Sequence, residues 1–332
     1  MPYSSKNKYS TLKFLVILSV FLISSLGCLV QAQTQSFPNR PIHLIVPTAP
    51  GAITDLSARL IAQKMSSILG QPIIVENKAG AGTMIGSDFV AKSPADGYTL
   101  LFASTITHGT LPALSKSLPY DPIADFSPVA GLFWFTSMIV CHPSVPANNI
   151  KELIEYAKKN PNKLTNASAG VGSGNHFTGE LFNVMAGVKI LHVPYKGSGP
   201  AMQDVIAGQA SCSHNGASKQ FLEAGQVKAL AGTGFERDPR YPNIPTVNES
   251  GLAGYGITWW FSLIAPSGTP QEVITRISEA AKIALGDSQL QTKSYDIGLN
   301  VKYLSSQEAG KQMQDTFQKF KTIANQANIK EN

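Results

Sequence analysis

Two loops in this 332-residue chain carry residue types that could hold an anion without a basic side chain. The first, Pro47-Thr48-Ala49-Pro50-Gly51-Ala52-Ile53-Thr54-Asp55, leads from a short apolar run into a helix-periodic segment. Backbone N–H groups at a helix start are unpaired and sit at the positive end of the helix dipole, so this geometry can hold a carboxylate. Gly51 lets a ligand approach the backbone closely, and the prolines fix the loop. The plainer alternative is that Thr54 or Asp55 only caps the helix. The second loop, Ser168-Ala169-Gly170-Val171-Gly172-Ser173-Gly174-Asn175-His176, again joins a strand-like run to a helix and offers a concave set of donors.

Other chemistries find less support. G-x-S-x-G and G-x-x-x-x-G-K-[ST] are both absent, so a hydrolase using Ser173 with His176 or His214 stands only as an alternative. Gly80-Ala81-Gly82-Thr83-Met84-Ile85-Gly86 is one residue too long for a dinucleotide fingerprint and follows the second strand, which reads as a close-packed loop lining a cleft. There is no CxxC, and the six histidines (43, 108, 142, 176, 192 and 214) lack metal-ligand spacing. No metal or cofactor is expected. Cys141 and Cys212 lie in apolar strand-like stretches and read as buried free thiols, with pairing left open.

The elements that must position these loops alternate β-rich and helix-periodic runs. Strands are expected at 42–46, 73–75 and 98–103, with helices at 55–69 and around 87–92 between them. This βαβαβ order implies a parallel sheet covered on both faces. After a Pro-rich connection, Leu118-Pro119-Tyr120-Asp121-Pro122 and Ser127-Pro128, the alternation restarts. Strands are expected at 137–141, 164–168, 190–193, 210–213 and 227–232, with a helix behind the Asn148/Asn149 cap. A second parallel sheet is the simplest account. A strand at 259–265, a helix at 271–285 and an amphipathic helix at 307–327 close the chain. Two α/β domains with a ligand cleft between them follow.

Charge narrows the partners. The formal balance is +6, from 27 Lys+Arg against 21 Asp+Glu. Lys6, Lys8 and Lys13 precede an uncharged apolar run from Phe14 to Val30, and Val30-Gln31-Ala32 fits a signal-peptide cleavage site. Cleavage after Ala32 leaves 24 basic against 21 acidic residues, or +3, with no cluster to grip nucleic acid. Ser25-Leu26-Gly27-Cys28 also resembles a lipoprotein signal with Cys28 acylated, although Ser25 stands where Leu is usual. Either route exports the protein.

The chain resembles the Bug family, periplasmic solute-binding proteins of tripartite tricarboxylate transporters. The resemblance rests on Pro41-Ile42-His43-Leu44-Ile45-Val46-Pro47, Ala49-Pro50-Gly51, Asp55 and Ala58-Arg59-Leu60, on Val75-Glu76-Asn77 with Gly80-Ala81-Gly82, and on Asp96-Gly97-Tyr98-Thr99-Leu100-Leu101. Leu118-Pro119-Tyr120-Asp121-Pro122, His192-Val193-Pro194-Tyr195-Lys196-Gly197 and Ala265-Pro266-Ser267-Gly268-Thr269-Pro270 continue it in order over essentially the whole mature chain.

The resemblance implies an α/β, two-domain, hinged "Venus flytrap" of the type II periplasmic-binding-protein class, with two mostly parallel sheets. The expected boundaries are a signal peptide over 1–32, one domain from 36–136 plus 258–332, and the other from 137–257. It implies a monomer that takes a small carboxylate ligand to membrane permease subunits, with no nucleic-acid partner and no catalysis; a ligand sensor docking on a receptor is the alternative. The ligand-binding set it implies is Ala49, Gly51, Ala52 and Asp55 from the first loop, Ser168, Gly172, Ser173, Asn175 and His176 from the second, Ser104 and Thr105 after the third strand, and His214 with Asn215. Two departures matter. Ala52 followed by Ile53 replaces a second Gly, and His214-Asn215 replaces Asp-Asn, which together favour an anionic, even aromatic, acid. Trp259, Trp260 and Phe261 read as hinge and core packing, or else as a wall against an aromatic ligand.

Overall fold

The computed structural model describes residues 37–215 and 219–329, and the elements below all lie in the unit Arg40–Asn332. The expected signal peptide and the Cys28 lipidation site fall outside the described residues.

The run Ile42–Val46, with three β-branched residues in five, forms β1, and Ile53–Leu69 forms α1. Ala58, Ile61, Ala62, Met65 and Leu69 recur at helical spacing, so α1 buries one apolar stripe and ends where Gly70 turns left-handed (φ 71). β2 (Ile73–Asn77), α2 (Met84–Ala91) and β3 (Thr99–Ser104) complete the expected βαβαβ unit, with β1 parallel to both β2 and β3. A π-helical turn at Ile106–Thr110 and the short α3 (Leu111–Leu114) follow β3.

The Pro-rich connection then yields a strand that the sequence pattern hides: β4 is Phe126–Phe135. Pro128 removes a ladder donor and normally argues against a central strand. Here β4 pairs antiparallel with β10 (Trp259–Pro266), and a register shift beside Ile264, the partner of Pro128, absorbs the fault. The first sheet runs β11-β4-β10-β3-β1-β2, with β11 at Asn300–Leu304. Its β10, β4 and β11 ladders are antiparallel, so the sheet is mixed.

The chain enters the second sheet at Thr136–Ser137. β5 (Met138–Cys141), α4 (Ile150–Lys159), β6 (Thr165–Ser168), α5 (Gly174–Ala186), β7 (Leu191–Pro194), α6 (Ser198–Ile206), β8 (Cys212–Asn215), α7 (Lys219–Glu223) and β9 (Lys228–Gly232) give the order β7-β6-β8-β5-β9. β6 is parallel to β7 and β8, while β5 is antiparallel to β8 and β9. The expectation of a second parallel sheet is thereby corrected to a mixed one. The physical reason is β5: it arrives directly from β4 without a crossover helix, so nothing constrains it to the parallel direction.

The free-thiol expectation is also corrected. Cys141 and Cys212 stand opposite each other on β5 and β8, with Cα atoms 4.0 Å apart, and form a disulfide. Asn149 caps α4, its side chain accepting the Glu152 N–H at 3.0 Å, as the sequence suggests.

The chain returns to the first sheet between Gly232 and Trp259, and the two crossings are tied together. Ser137 N–H donates to Thr233 Oγ1 (3.1 Å), Thr233 N–H to Ser137 O (2.8 Å), and Ile257 N–H to Thr233 O (2.7 Å). α8 (Gln271–Leu285), α9 (Ser288–Asp296) and α10 (Ser306–Gln326) finish the fold. α10 starts with a capping box between Ser305 and Glu308, and its later residues Phe320, Ile323 and Ala324 share a core cluster with Phe177 and Leu181 of α5.

Candidate functional site

Both donor loops leave the carboxyl ends of parallel strands, β1 and β6, where open α/β sheets place their ligands. α1 begins after Ala52, whose extended backbone starts the helix but whose methyl group supplies no cap. Like α2, α6 and α8, and unlike α4, α5, α9 and α10, α1 has no side-chain cap, which leaves its first N–H groups to whatever lies in front of them. Gly51 has φ +83, and a Cβ there would meet nothing within 4 Å; the position calls for a left-handed backbone, not for room.

Asp55 clamps this loop from inside. Its Oδ2 accepts the Gly51 N–H at 2.9 Å and Arg59 Nε at 3.1 Å, and its Oδ1 accepts Asn77 Nδ2 at 2.9 Å and lies 3.0 Å from Arg59 Nη2. Asn77 Nδ2 also donates to Thr48 O at 3.0 Å. Burial pushes the Asp55 carboxyl up, but the donors from Arg59, Gly51 and Asn77 outweigh it and hold its pKa below the ordinary value.

The second loop is tied in the same way. Ser173 caps α5, accepting the His176 N–H at 3.4 Å, while its hydroxyl donates to Gly170 O at 2.6 Å. The Gly172 N–H donates to His176 Nδ1 at 3.1 Å. The His176 ring stacks on His192, centroids 3.8 Å apart, and His192 Nε2 bonds Ser168 Oγ at 2.6 Å. Burial, and then the neighbouring His192, pull the His176 pKa down to about 4, so this ring is neutral at pH 7. Ser173 therefore has its proton on a carbonyl and His176 Nδ1 is already an acceptor, which is not the geometry of a nucleophile and its base.

The remaining expected residues sit around these loops. Ser104 Oγ accepts the N–H groups of Ile106 (3.2 Å) and Thr107 (3.4 Å), and Thr105 Oγ1 accepts the Trp260 N–H at 2.9 Å, so both hydroxyls shape the turn after β3. Asn175 Nδ2 donates to His214 O, and His214 Nδ1 bonds Asn166 Oδ1 at 3.0 Å. Asn215 is buried beside it at the end of β8. A Cβ on Gly172 would lie 2.7 Å from Leu114 Cδ1, and one on Gly86 would lie 2.8 Å from Pro47 Cβ. The second loop thus abuts the segment after β3, and the Gly80–Gly86 loop abuts the first.

A family model for the tripartite tricarboxylate transporter family receptor, TctC, matches residues 57–329. The chain belongs to this family. Three solved structures show the same likeness. A protein of R. palustris with adipate is 34% identical, covers 89% of this chain and 99% of its own, and has a TM-score of 0.74. MatC from Rhodopseudomonas palustris with bound malate is 33% identical, with coverages of 86% and 99% and a TM-score of 0.71. The periplasmic binding protein BugD is 33% identical, with coverages of 89% and 100% and a TM-score of 0.70. The protein is a TctC-family solute-binding receptor with the two-domain periplasmic-binding-protein fold.

Within this TctC-family receptor, three residues that the sequence reading left out of the site hold it together: Asn77 and Arg59 around Asp55, and His192 against His176. All three lie inside the family motifs, which was the available signal. His214 is fully buried, and burial pulls its pKa down to about 3, so it is neutral and brings no positive charge. Trp259, Trp260 and Phe261 are buried; Trp259 packs on Phe320 and Phe261 stacks on Phe102, which is the packing role, while Trp260 Nε1 donates to Thr316 Oγ1 at 2.9 Å. Among the described residues no cluster of His, Cys, Asp and Glu could hold a metal, and no helix is long and apolar enough to cross a membrane.

Proposed function

We propose that this receptor is exported to the periplasm by the 1–32 signal peptide and captures a small organic acid for a tripartite tricarboxylate-type permease. In this reading the acid lies between one lobe of 36–136 plus 258–332 and a second of 137–257. The uncapped start of α1 behind a left-handed Gly51 carries the proposal: it offers N–H groups and a positive dipole end to an anion, with no basic side chain in the way. Related proteins solved with adipate and with malate support a carboxylate. Ala49 and Ala52 would present their backbone to it, while Gly51, whose N–H is taken by Asp55, sets the shape of the loops together with Asp55, Ser173, His176 and Thr105, all engaged by their own chain. Replacement of a family acid by neutral His214 removes a negative charge near the second loop, which suits a dianion better than an amino acid. Ile53 behind Ala52 adds apolar surface that suits an aliphatic or aromatic body.

The test is a thermal and calorimetric screen of mono-, di- and tricarboxylates, including adipate, malate and benzoate, on protein first unfolded and refolded free of carried-over ligand. A true ligand at 100 times its Kd stabilises the fold by about 2.7 kcal/mol. A screen in which no acid stabilises the protein overturns the proposal.

A further inference from the structure

One well-formed cavity of this protein is lined by none of the residues of the two loops. About 540 Å³ opens between α10, the edge of the first sheet and the return segment that precedes β10, a volume in the range that holds a small ligand. Trp134 of β4, Trp260 of β10 and Leu304 of β11 line it from the sheet, Phe320 from α10, and Phe235 from the segment after β9. Phe235 is 56% exposed and closes the cavity on its open side.

The charges around this cavity are paired, with one exception. Lys302 faces Glu236 at 3.6 Å, Lys311 faces Asp315 at 2.6 Å, and Glu308 closes the capping box on Ser305. Among the described residues Lys319 pairs with no carboxylate: its Nζ donates to the Gly256 carbonyl and lies 4.6 Å from the centre of the Phe235 ring. A partly buried ammonium held by one carbonyl and one ring face keeps donors and charge uncompensated. Burial pulls its pKa down to about 8, as expected of a cation short of a partner.

We infer that this cavity is a second ligand site, distinct from the cleft between the donor loops, and that it takes an aromatic monocarboxylate. The carboxylate meets Lys319, and the ring lies among Phe235, Trp134 and Trp260. One unpaired cation calls for a single negative charge, and the apolar aromatic walls call for a flat apolar body. The occupant would touch the return segment and the first sheet at once, beside the tied crossings at Ser137 and Thr233.

The probe is 4-fluorobenzoate, titrated into the full mature chain by calorimetry and by ¹⁹F NMR, with neutral 4-fluorobenzamide as the comparison. Lys319→Met and Phe235→Ala are tested alongside, each checked for an intact thermal transition. The expected result is binding of the acid to the wild type, at least about tenfold weaker binding of the amide, and a loss of about tenfold or more in each variant. Absence of binding to the wild type at millimolar acid overturns the inference. So does binding that both variants leave unchanged, which would put the acid in the other cleft. Should Lys319→Met fail to fold, equal affinities for acid and amide, or an unaffected Phe235→Ala, overturn it without that variant.

Discussion

Replacing Asp55 separates two roles for a buried carboxylate at the mouth of a helix. Asp55 receives the Gly51 N–H, Asn77 Nδ2 and two atoms of Arg59, all at 2.9 to 3.1 Å. Hydrogen bonds to a charged group contribute about 1.5 to 3 kcal/mol each when shielded. The Arg59 side chain is 50% exposed and regains water when the acid is removed, so its share is nearer that of an exposed i,i+4 pair, about 0.3 to 0.5 kcal/mol. The Gly51 and Asn77 bonds are part-buried and fall at the low end of that range, which puts Asp55→Ala at about 3 kcal/mol of lost stability. Asp55→Asn keeps the volume but sets an amide donor among donors, and should cost about 2 kcal/mol. Because the clamp sets the curve of the loop, the affinity for the captured acid should fall about tenfold as well, near 1.4 kcal/mol. Urea denaturation and calorimetry of the same preparations measure both. The folded pKa of Asp55 lies below its unfolded value, so its contribution is complete above about pH 3.9 and disappears as the pH falls through the lower, folded value. A loss of stability below about 1 kcal/mol would refute the clamp. Abolished binding with unchanged stability would instead make Asp55 a direct ligand contact.

Three further outcomes follow from the same geometry. The paired change Cys141→Ser, Cys212→Ser opens a loop of sequence separation 71, and the chain-entropy relation puts the loss at about 4 kcal/mol, read as a lower urea midpoint; an unchanged midpoint refutes it. His108 and His214 are held to about 3 and His176 to about 4, all below the unfolded value near 6.5. Unfolding must then take up protons below pH 6.5, so stability is intact above that value and falls with a slope approaching about 4 kcal/mol per pH unit near pH 5; a flat stability profile from pH 7 to 5 counts against it. Thr83 is β-branched at φ 90, and its buried hydroxyl has no partner. Thr83→Gly should relieve this strain and raise stability by about 1 kcal/mol, seen as a higher Tm, whereas a lower Tm would show that the side chain is needed for packing.

The elements that periodicity can reveal were legible. Ile42–Val46 and Gln271–Leu285 match their expected limits because an apolar run bounded by turn residues, or a helical stripe behind a proline, is a local signal. β4 was not legible, because Pro128 and Gly131 break the strand pattern and are accommodated only by the bulged pairing with β10 and by Leu304 lying over Gly131. The disulfide was hidden for a similar reason: whether Cys141 meets Cys212 depends on β5 running antiparallel to β8, a fact of topology. At the candidate site, the loops and their residue types could be read, but their division of labour could not. That Asp55, Gly172 and Ser173 spend their polar atoms inside the chain depends on Arg59, Asn77, Gly170 and His176 arriving in register.

The bridge between β5 and β8 also dates the molecule. A thiol pair stays reduced in the cytosol and closes in an oxidising compartment, so a chain translated on one side of a membrane and folded on the other acquires this link only after transit. Before that moment the second sheet lacks about 4 kcal/mol of constraint. On the export reading, the same bond that stiffens the mature receptor is withheld while the precursor has to remain threadable. Oxidation then acts as a one-way ratchet on delivery, and a receptor trapped inside the cell would be recognisable by free thiols at Cys141 and Cys212.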